Sequence, residues 1–301
     1  MVTGTNNADN WGQVRPVPGL GYEAFYPAPL PRSIGMSPGI LQKLTNAEAA
    51  LGRLAGAGRL LPNPHLLIRA YALREAMAST RIEGTQTTLT AVLDSTATGT
   101  PPDADVEEVT NYVRALESGL ARLRELPLGT RLMCEMHGIL LNGVRGRERQ
   151  PGEIRRSQNW IGRPGATLDT ATFVPPPPDE VPPLLADWER FAHEDSQVPV
   201  LIQSALLHHQ FETIHPFLDG NGRLGRLLII LHLVMCGRLP SPLLYLSSYF
   251  EHYKDTYIRC LQGVREGNGL DPWLDFYLSG IEAEASDALR RAEQVVDLRE
   301  D

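Results

Sequence analysis

Hydrophobic patterns of helical period dominate this 301-residue sequence and constrain its fold more than any other feature. The alternation typical of half-buried strands is almost absent, and no internal repeat occurs at solenoid spacing. We therefore predict a mainly α fold with one large core. Helices are expected at roughly 38–54, 65–80, 106–126, 132–141, 183–191, 198–214, 221–236, 249–266 and 271–295.

The segments between the predicted helices are rich in glycine and proline. The first 40 residues are expected to form an irregular arm laid over the helical body, and residues 98–105 a loop. Residues 144–166 include a short SQNWIG run that could form a hairpin, and 175–178 are four prolines. The three cysteines lie in apolar, helix-like stretches, so we expect them to be small buried hydrophobic residues.

The composition excludes several classes of protein. A net charge of −8 argues against broad electrostatic binding to nucleic acid, and no segment is typical of a DNA-binding module. The polar N-terminal sequence is unlike a signal peptide, and the most apolar run, 227–236, is too short to span a bilayer. We expect a cytoplasmic protein that binds neither membranes nor nucleic acid.

Residues 215–226, HPFLDGNGRLGR, carry the strongest functional signal. His215 follows an apolar helical segment and precedes Pro216, so it is expected at a helix exit, where its ring can project into a cleft. An imidazole there can act as a general base near neutral pH. The alternative is a structural histidine that satisfies the helix end.

The second half of this motif is suited to binding phosphates. Gly220 and Gly222 let successive backbone N–H groups converge at the start of a helix, which favours an anion. Arg223 and Arg226 are three residues apart, so both are expected on one face of the first turn. Asp219 would be repelled by phosphates unless a cation lay between them, which suggests a Mg²⁺ ligand; it could also cap the helix.

Two other motif matches are rejected. Residues 220–225 match the dinucleotide-binding pattern GxGxxG, but a helix rather than a strand is predicted before them. The histidines in 209–215 lack the glutamate spacing of a zinc protease.

The motif resembles the signature of Fic-domain proteins, HPFxxGNGRxxR, at every specified position. Segments 151–162, 173–178 and 243–250 also resemble the family, and the resemblance covers roughly 26–285. It implies a Fic-type helical core with a small β-hairpin flap, preceded by an N-terminal helical region. The implied parts are an arm and helical region carrying an inhibitory helix (1–110), the Fic core domain (111–285) and a C-terminal helical tail (286–301).

The resemblance implies transfer of AMP from ATP to a Ser, Thr or Tyr hydroxyl of a protein target. His215 would deprotonate that hydroxyl, and Asp219 would hold Mg²⁺ between the α- and β-phosphates. Trp160 and Ile161, in the segment that resembles the flap, would contact the target, although Trp160 could equally be packed. The target itself, self-modification and a homodimer are left open.

The phosphate contacts implied by the resemblance come from the GNGRxxR half of the motif. Asn221 and the backbone of Gly220 and Gly222 would cradle the phosphates. Arg223 and Arg226 would bind their β and γ portion.

A second motif, Ser79-xxx-Glu83-Gly84, resembles the family's inhibitory helix. The resemblance implies that Glu83 pairs with Arg226 and blocks the γ-phosphate, because one guanidinium cannot hold both a carboxylate and a phosphate. The prediction is a self-inhibited adenylyltransferase. Two alternatives remain: a de-adenylylating hydrolase in which Glu83 orients water, and a nucleotide-binding regulatory protein with little catalysis.

Overall fold

The computed structural model describes residues 11–60, 64–98, 102–163, 165–240 and 242–297. The predicted mainly α fold is confirmed. In chain order the elements are β1 (Gly12–Pro16), β2 (Glu23–Pro27), α1 (Pro38–Leu60), α2 (Pro64–Ile82), α3 (Leu89–Thr98), α4 (Ala104–Arg122), α5 (Thr130–Leu140), α6 (Val181–His193), α7 (Val200–Ile214), α8 (Asn221–Met235), α9 (Ser247–His252), α10 (Lys254–Arg265) and α11 (Asp271–Asp297).

Helices α7 and α8 form the centre of the molecule. Every residue of α7 from Leu201 to Ile214 is buried, and so is nearly all of α8, as expected for helices that are rich in apolar residues and have no strongly polar face. The two pack against each other, with α4 and α5 against α8 and α6 and α11 against α7. The loop at 215–220 that joins them is therefore held between two deeply buried helices.

Helix α2 connects the N-terminal region to this centre. It packs against α4 and α9 and also contacts α8. The buried carboxylate of Glu75 accepts hydrogen bonds from Tyr112 of α4 (2.9 Å) and from the backbone N–H of Ser247 in α9 (3.0 Å). These contacts bring the C-terminal end of α2 to the N-terminal end of α8.

Several helix predictions need correction. Helix α3 lies at 89–98, where no helix is predicted, because its threonines and short length mask its apolar face. The helix predicted at 249–266 is two helices that meet at Tyr253, whose φ and ψ of −109° and 37° are not helical. Of the predicted loop at 98–105, residues 99–101 lie outside the described residues, and α4 begins within it at Ala104.

The N-terminal arm is not irregular, as predicted, but contains the antiparallel hairpin of β1 and β2. The N–H of Phe25 in β2 donates to the carbonyl of Val174 (2.9 Å), and the Phe25 ring contacts that of Phe173. The hairpin suggested for 144–166 reduces to an isolated antiparallel bridge between Ile161 and Phe173. Five-residue strands are too short for a clear alternating pattern, which explains the missed arm hairpin.

Two other expectations can be compared with the structure. All three cysteines are free and only partly buried, so the prediction that they are buried is wrong. Among the described residues, no helix is long and apolar enough to cross a membrane.

The start of α4 gives a first testable prediction. The Asp103 carboxylate accepts a hydrogen bond from the N–H of Val106 (2.8 Å) and so caps the helix. We expect Asp103→Ala to lower the free energy of unfolding by about 1 kcal/mol, measured by urea denaturation, because the cap is lost. Asp103→Asn keeps an acceptor oxygen and should cost less than half of that. Equal losses in the two variants would show that charge, not capping, matters here.

Candidate active site

An open cleft of about 530 Å³ lies at the N-terminal end of α8, between residues 151–162, called the flap segment below, and α10. It brings together residues that are far apart in the chain, such as Glu83 and Arg226. The predicted site residues that line it are Glu83, Trp160, Ile161, His215, Asp219, Gly222 and Arg226. The remaining predicted residues, Ser79, Gly220, Asn221 and Arg223, lie behind this lining.

The backbone at both ends of the 215–220 loop is left-handed. His215 ends α7 with φ 50° and ψ 61°, and Gly220 caps α8 with φ 75°. A histidine in this conformation is uncommon and persists only where neighbouring groups hold it. The predicted helix exit at His215 is confirmed, whereas Gly220 rather than Asp219 occupies the N-cap position.

Two buried side chains that the sequence analysis did not predict hold the backbone at His215, where α7 ends. Nε of Arg155 donates to the carbonyl of His215 (2.9 Å), and its Nη2 donates to those of Pro176 (2.6 Å) and Ile214 (3.2 Å). Nδ2 of Asn159 donates to the same His215 carbonyl (3.1 Å). Burial lowers the pKa of Arg155 to about 10. The guanidinium is nevertheless charged at neutral pH, and its hydrogen bonds go to backbone carbonyl groups.

The middle of the loop is shaped by Asn221 and His137. The Asn221 side chain accepts from the N–H of Phe217 (2.9 Å) and donates to its carbonyl (2.8 Å), so it braces the loop instead of lining the cleft. Phe217 is fully buried and stacks on His137, with ring centres 3.9 Å apart. Nδ1 of His137 accepts the N–H of Gly152 (2.8 Å), which leaves Nε2–H to donate to the carbonyl of Asp219 (2.9 Å).

His215 presents an uncharged ring to the cleft. Burial, together with the positive charges of Arg265 and Arg155, lowers its pKa to about 3. Its Nδ1 lies 3.4 Å from the backbone carbonyl of Glu212, which can only accept a hydrogen bond. This contact favours the tautomer with hydrogen on Nδ1 and leaves the lone pair on Nε2, the form that a general base requires.

Arg226 is bound by the end of α2. Its Nε donates to the Ser79 hydroxyl (2.8 Å), and its Nη2 donates to the Ser79 carbonyl (3.0 Å) and to Oε1 of Glu83 (2.7 Å). The guanidinium is 2% exposed and the Glu83 side chain 35%. Burial would raise the pKa of Glu83, but the charge and hydrogen bond of Arg226 outweigh it and hold that pKa below the usual value.

Glu83 also occupies space that a side chain at position 222 would need. A Cβ on Gly222 would lie 2.3 Å from Oε1 of Glu83. Glycine at 222 therefore lets the carboxylate approach the backbone at the start of α8. The same space is where the converging N–H groups of that helix end favour an anion.

Arg223 does not line the cleft beside Arg226. It is 1% exposed and lies 3.4 Å from both Glu108 and Asp219. Glu108 also accepts a hydrogen bond from Thr85 (2.6 Å), just after α2. The two arginines are three residues apart on α8, but only Arg226 faces the cleft. The Arg223 side chain points instead into a buried network of charged residues behind the loop.

Asp219 offers limited capacity for a metal. Its Oδ1 already accepts the N–H of Gly220 (2.6 Å) and faces Arg223, so Oδ2 of this partly exposed side chain is the oxygen left for a metal. Within the described ranges no cluster of three or more His, Cys, Asp or Glu side chains could hold a metal ion. A single carboxylate oxygen fits Mg²⁺, which usually takes one or two carboxylates plus substrate phosphates and water.

In the flap segment, Trp160 is 43% exposed at the edge of the cleft, so the alternative of a packed side chain is not what the structure shows. Its indole N–H donates to the carbonyl of Ala166 (2.8 Å). Ile161 exchanges backbone hydrogen bonds with Phe173 (2.8 and 3.0 Å). The segment is therefore ordered by its own bridge and presents an exposed indole beside the cleft.

Burial keeps an unusual number of histidines uncharged. It lowers the pKa of His137 to about 4 and that of His209 well below its usual value. It also lowers the pKa of three more histidines to about 3: His208, His215 and His232. Burial also raises the pKa of the carboxyl groups of Glu212 and Glu284 to about 7, and it raises the pKa of Glu75.

These shifts predict a loss of stability as the pH falls from 7 to 5. The unfolded histidines take up protons below about pH 6.5, whereas the folded ones do not. The raised carboxyls oppose this, because they bind protons in the folded state first. Over this range the unfolded state should bind about two protons more than the folded state. The free energy of unfolding should therefore fall by about 2–3 kcal/mol for each pH unit of acidification, measured by urea denaturation. His232→Gln should reduce that slope by about one proton; an unchanged slope would contradict the assignment.

The fold and cleft define a class of helical protein in which a histidine-bearing loop leads into an arginine-bearing helix. Two family models match: the Fic/DOC family N-terminal model over residues 41–121 and the Fic/DOC family model over residues 127–233. The chain belongs to the Fic/DOC family.

Solved structures agree on the fold. A Fic family protein from Desulfovibrio desulfuricans G20 superposes with a TM-score of 0.71 at 24% identity, over 88% of this chain and 77% of that one. Fic-1 from Caenorhabditis elegans gives 0.62 at 17% identity, over 86% and 73%.

Curated relatives match over shorter regions. A probable protein adenylyltransferase of Aquifex aeolicus is 37% identical over 97 residues, 32% of this chain and 28% of that protein. The protein adenylyltransferase Fic of Drosophila ananassae is 35% identical over 127 residues, 40% and 23% respectively. The chain thus spans about a quarter of the length of these relatives.

Proposed function

We propose that the protein is a self-restrained protein adenylyltransferase, which moves AMP from ATP to a hydroxyl of a protein. The observation that carries this proposal is the pair of Glu83 and Arg226, placed in one cleft with the uncharged ring of His215. Relatives named as protein adenylyltransferases support the type of reaction. The arrangement supplies a base, an anion site and a carboxylate that competes for that site.

In the proposed reaction, Nε2 of His215 takes the proton of the target hydroxyl as its oxygen bonds to the α-phosphorus. The bond from that phosphorus to the pyrophosphate oxygen breaks, and pyrophosphate leaves. The backbone of Gly220 and Gly222 and the guanidinium of Arg226 would bind the phosphates, once Glu83 has moved away. Asn221 and Arg223 would act through the loop that they brace, since neither side chain lines the cleft.

Asp219 would hold Mg²⁺ through Oδ2 together with the phosphates, and the bound ion would neutralise part of their charge. The exposed Trp160 and the bridge at Ile161 are suited to positioning an extended segment of the target beside the cleft.

Burial restricts self-modification near the proposed inhibitory helix. The hydroxyls of Ser79, Thr80 and Thr85 near the proposed inhibitory helix are at most 3% exposed, whereas Thr88 is exposed. We keep a homodimer and cytoplasmic localisation as proposals that rest on the sequence alone.

The division into an arm and inhibitory region (1–110), a core (111–285) and a tail (286–301) also remains a proposal. Its boundaries fall within α4 and α11. We therefore propose three parts that differ in role but fold together.

The second candidate function is removal of AMP from the target, with Glu83 orienting the attacking water. It is favoured by the partial exposure of the Glu83 side chain beside the cleft. A regulatory protein that binds nucleotide without catalysis is disfavoured by the neutral tautomer-ordered ring of His215, which binding alone does not need.

The proposal is tested by intact-mass spectrometry after incubation with ATP and Mg²⁺. Wild type, Glu83→Gly and Glu83→Gly/His215→Ala are compared, with a lysate as a source of targets. We expect an adenylyl-sized mass increase on the protein or on a lysate protein only with Glu83→Gly. No adduct with any variant, in the presence of lysate, would refute adenylyl transfer from ATP.

A further inference from the structure

A carboxyl group that the proposed reaction does not use lies beside His215. Glu212 is one helical turn earlier on α7, and it is 6% exposed. Its Oε2 is 4.0 Å from Nδ1 of His215, and its buried Oε1 has no hydrogen-bond partner among the described residues. A buried carboxyl with an unsatisfied oxygen is costly, so its presence at the cleft calls for a role.

The Glu212 carboxyl fits against α8 at Gly225, which has no side chain. A Cβ on Gly225 would lie 2.6 Å from Oε1 of Glu212. The Gly225 carbonyl is held by Nδ1 of His208 (3.1 Å), which in turn contacts the Tyr257 hydroxyl through Nε2 (2.8 Å). Glu212 is therefore confined between α7, α8 and α10, with its carboxyl directed along the wall of the cleft.

We propose that Glu212 is a positioning residue for His215, whose carboxylate stabilises the imidazolium formed when the ring takes the target's proton. This inference rests on the proposed adenylyl transfer. The proton moves from the target oxygen to Nε2, the new oxygen–phosphorus bond forms and pyrophosphate leaves. The ring then carries a hydrogen on each nitrogen and one positive charge. Glu212 supplies the negative charge, and the Nε2 proton is later released to solvent.

The electrostatics of the cleft make such a partner necessary. Burial and the charges of Arg265 and Arg155 oppose a positive His215 ring. Glu83 also acts on the ring, but in the proposed active state it has left Arg226. Glu212 then remains as the carboxyl closest to Nδ1 of the ring within the described site.

Glu212 changes its charge near neutral pH. Burial raises its pKa to about 7; the positive charges of Arg226 and Arg265 oppose that rise, and Glu83 adds to it. Tyr257 on α10 faces the same group and stays protonated, because burial and the charge of Glu212 raise its pKa. The partner of His215 should therefore become negative as the pH rises through about 7, or somewhat lower once Glu83 is removed.

The test uses the full chain in the Glu83→Gly background. The rate of AMP transfer should rise with pH up to about 7 and then level off. Glu212→Gln should remove this acid limb and lower kcat at pH 8 by about tenfold, with the KM for ATP unchanged within twofold. Glu212→Asp should restore the limb. Gln210→Ala is the matched control, because it removes a buried contact of α7 to Ala28 away from the site and should keep the limb.

A second readout does not need turnover. Carboxyl ¹³C NMR of the wild-type protein should show a glutamate that titrates near pH 7 and is missing from Glu212→Gln. An unchanged rate and acid limb in Glu212→Gln, or no such titration, would overturn the role of Glu212 while adenylyl transfer stands. If Glu83→Gly itself transfers no AMP, the proposed function fails and this inference fails with it.

Discussion

Glu83→Gly is expected to raise the rate of AMP transfer by about tenfold to a hundredfold. In the proposed reaction, the γ-phosphate of ATP would have to displace the Glu83 carboxylate, which Arg226 holds at 2.7 Å with a guanidinium that is 2% exposed. A charge-assisted hydrogen bond of this kind contributes about 1.5–3 kcal/mol, which corresponds to that range of rates. The variant also vacates the space beside Gly222. Transfer is measured as incorporation of label from α-³²P ATP.

The controls separate competition at Arg226 from general loosening of α2. Glu251 pairs with Arg81 near the same helix end (3.7 Å) and is 32% exposed, close to the value for Glu83. Glu251→Gln should leave the transfer rate within twofold of wild type. Ser79→Ala removes one ligand of Arg226 without removing the competing carboxylate, so it should raise the rate less than Glu83→Gly. An equal rise in Glu251→Gln would contradict the competition.

The helical architecture was largely predictable from the sequence. Helices α7 and α8 are rich in apolar residues, and their limits are marked by His215-Pro216 and by Gly220. The predicted ends of these two helices agree with the structure to within two residues. The signal failed where burial on one face is weak, as in α3, or where strands have five residues, as in the N-terminal hairpin.

The part of the site whose residues are adjacent in the chain was predictable from the residues themselves, whereas the pairing of Glu83 with Arg226 was expected only from the resemblance to a known family. His215, Asp219 and Gly222 line one cleft because a single loop and helix start carry them. Arg155 and His137 were missed, since they are 60 and 82 positions from the backbone groups that they bind. They act on carbonyl oxygens, which no side-chain pattern in the sequence records.

The burial of Arg223 was equally hidden. Its spacing from Arg226 places both on one side of α8, yet the partner that turns Arg223 inward is Glu108, 115 positions earlier. The approach of Glu83 to Arg226 depends likewise on how α2 packs against α4 and α9. Such long-range contacts follow from packing and not from local pattern.

His215→Ala in the Glu83→Gly background is expected to lower the transfer rate by about a thousandfold. The ring is the group in the cleft that is both uncharged and tautomer-ordered for taking a proton, and general bases typically contribute about 10²–10⁴ in rate. Because the proposed phosphate contacts come from α8, affinity for ATP, measured by calorimetry, should change by less than threefold.

His252→Ala is the matched control for His215→Ala, since it removes an exposed histidine of α9 and should leave the rate unchanged. The loop must also survive the substitution. The carbonyl of residue 215 keeps its bonds to Arg155 and Asn159 whatever the side chain, but alanine at φ 50° is strained. His215→Asn, which tolerates the left-handed region better, therefore separates loss of the base from distortion of the backbone. If both variants lose the rate and both still bind ATP, the imidazole is the base; retention of transfer in either would assign the proton to another acceptor.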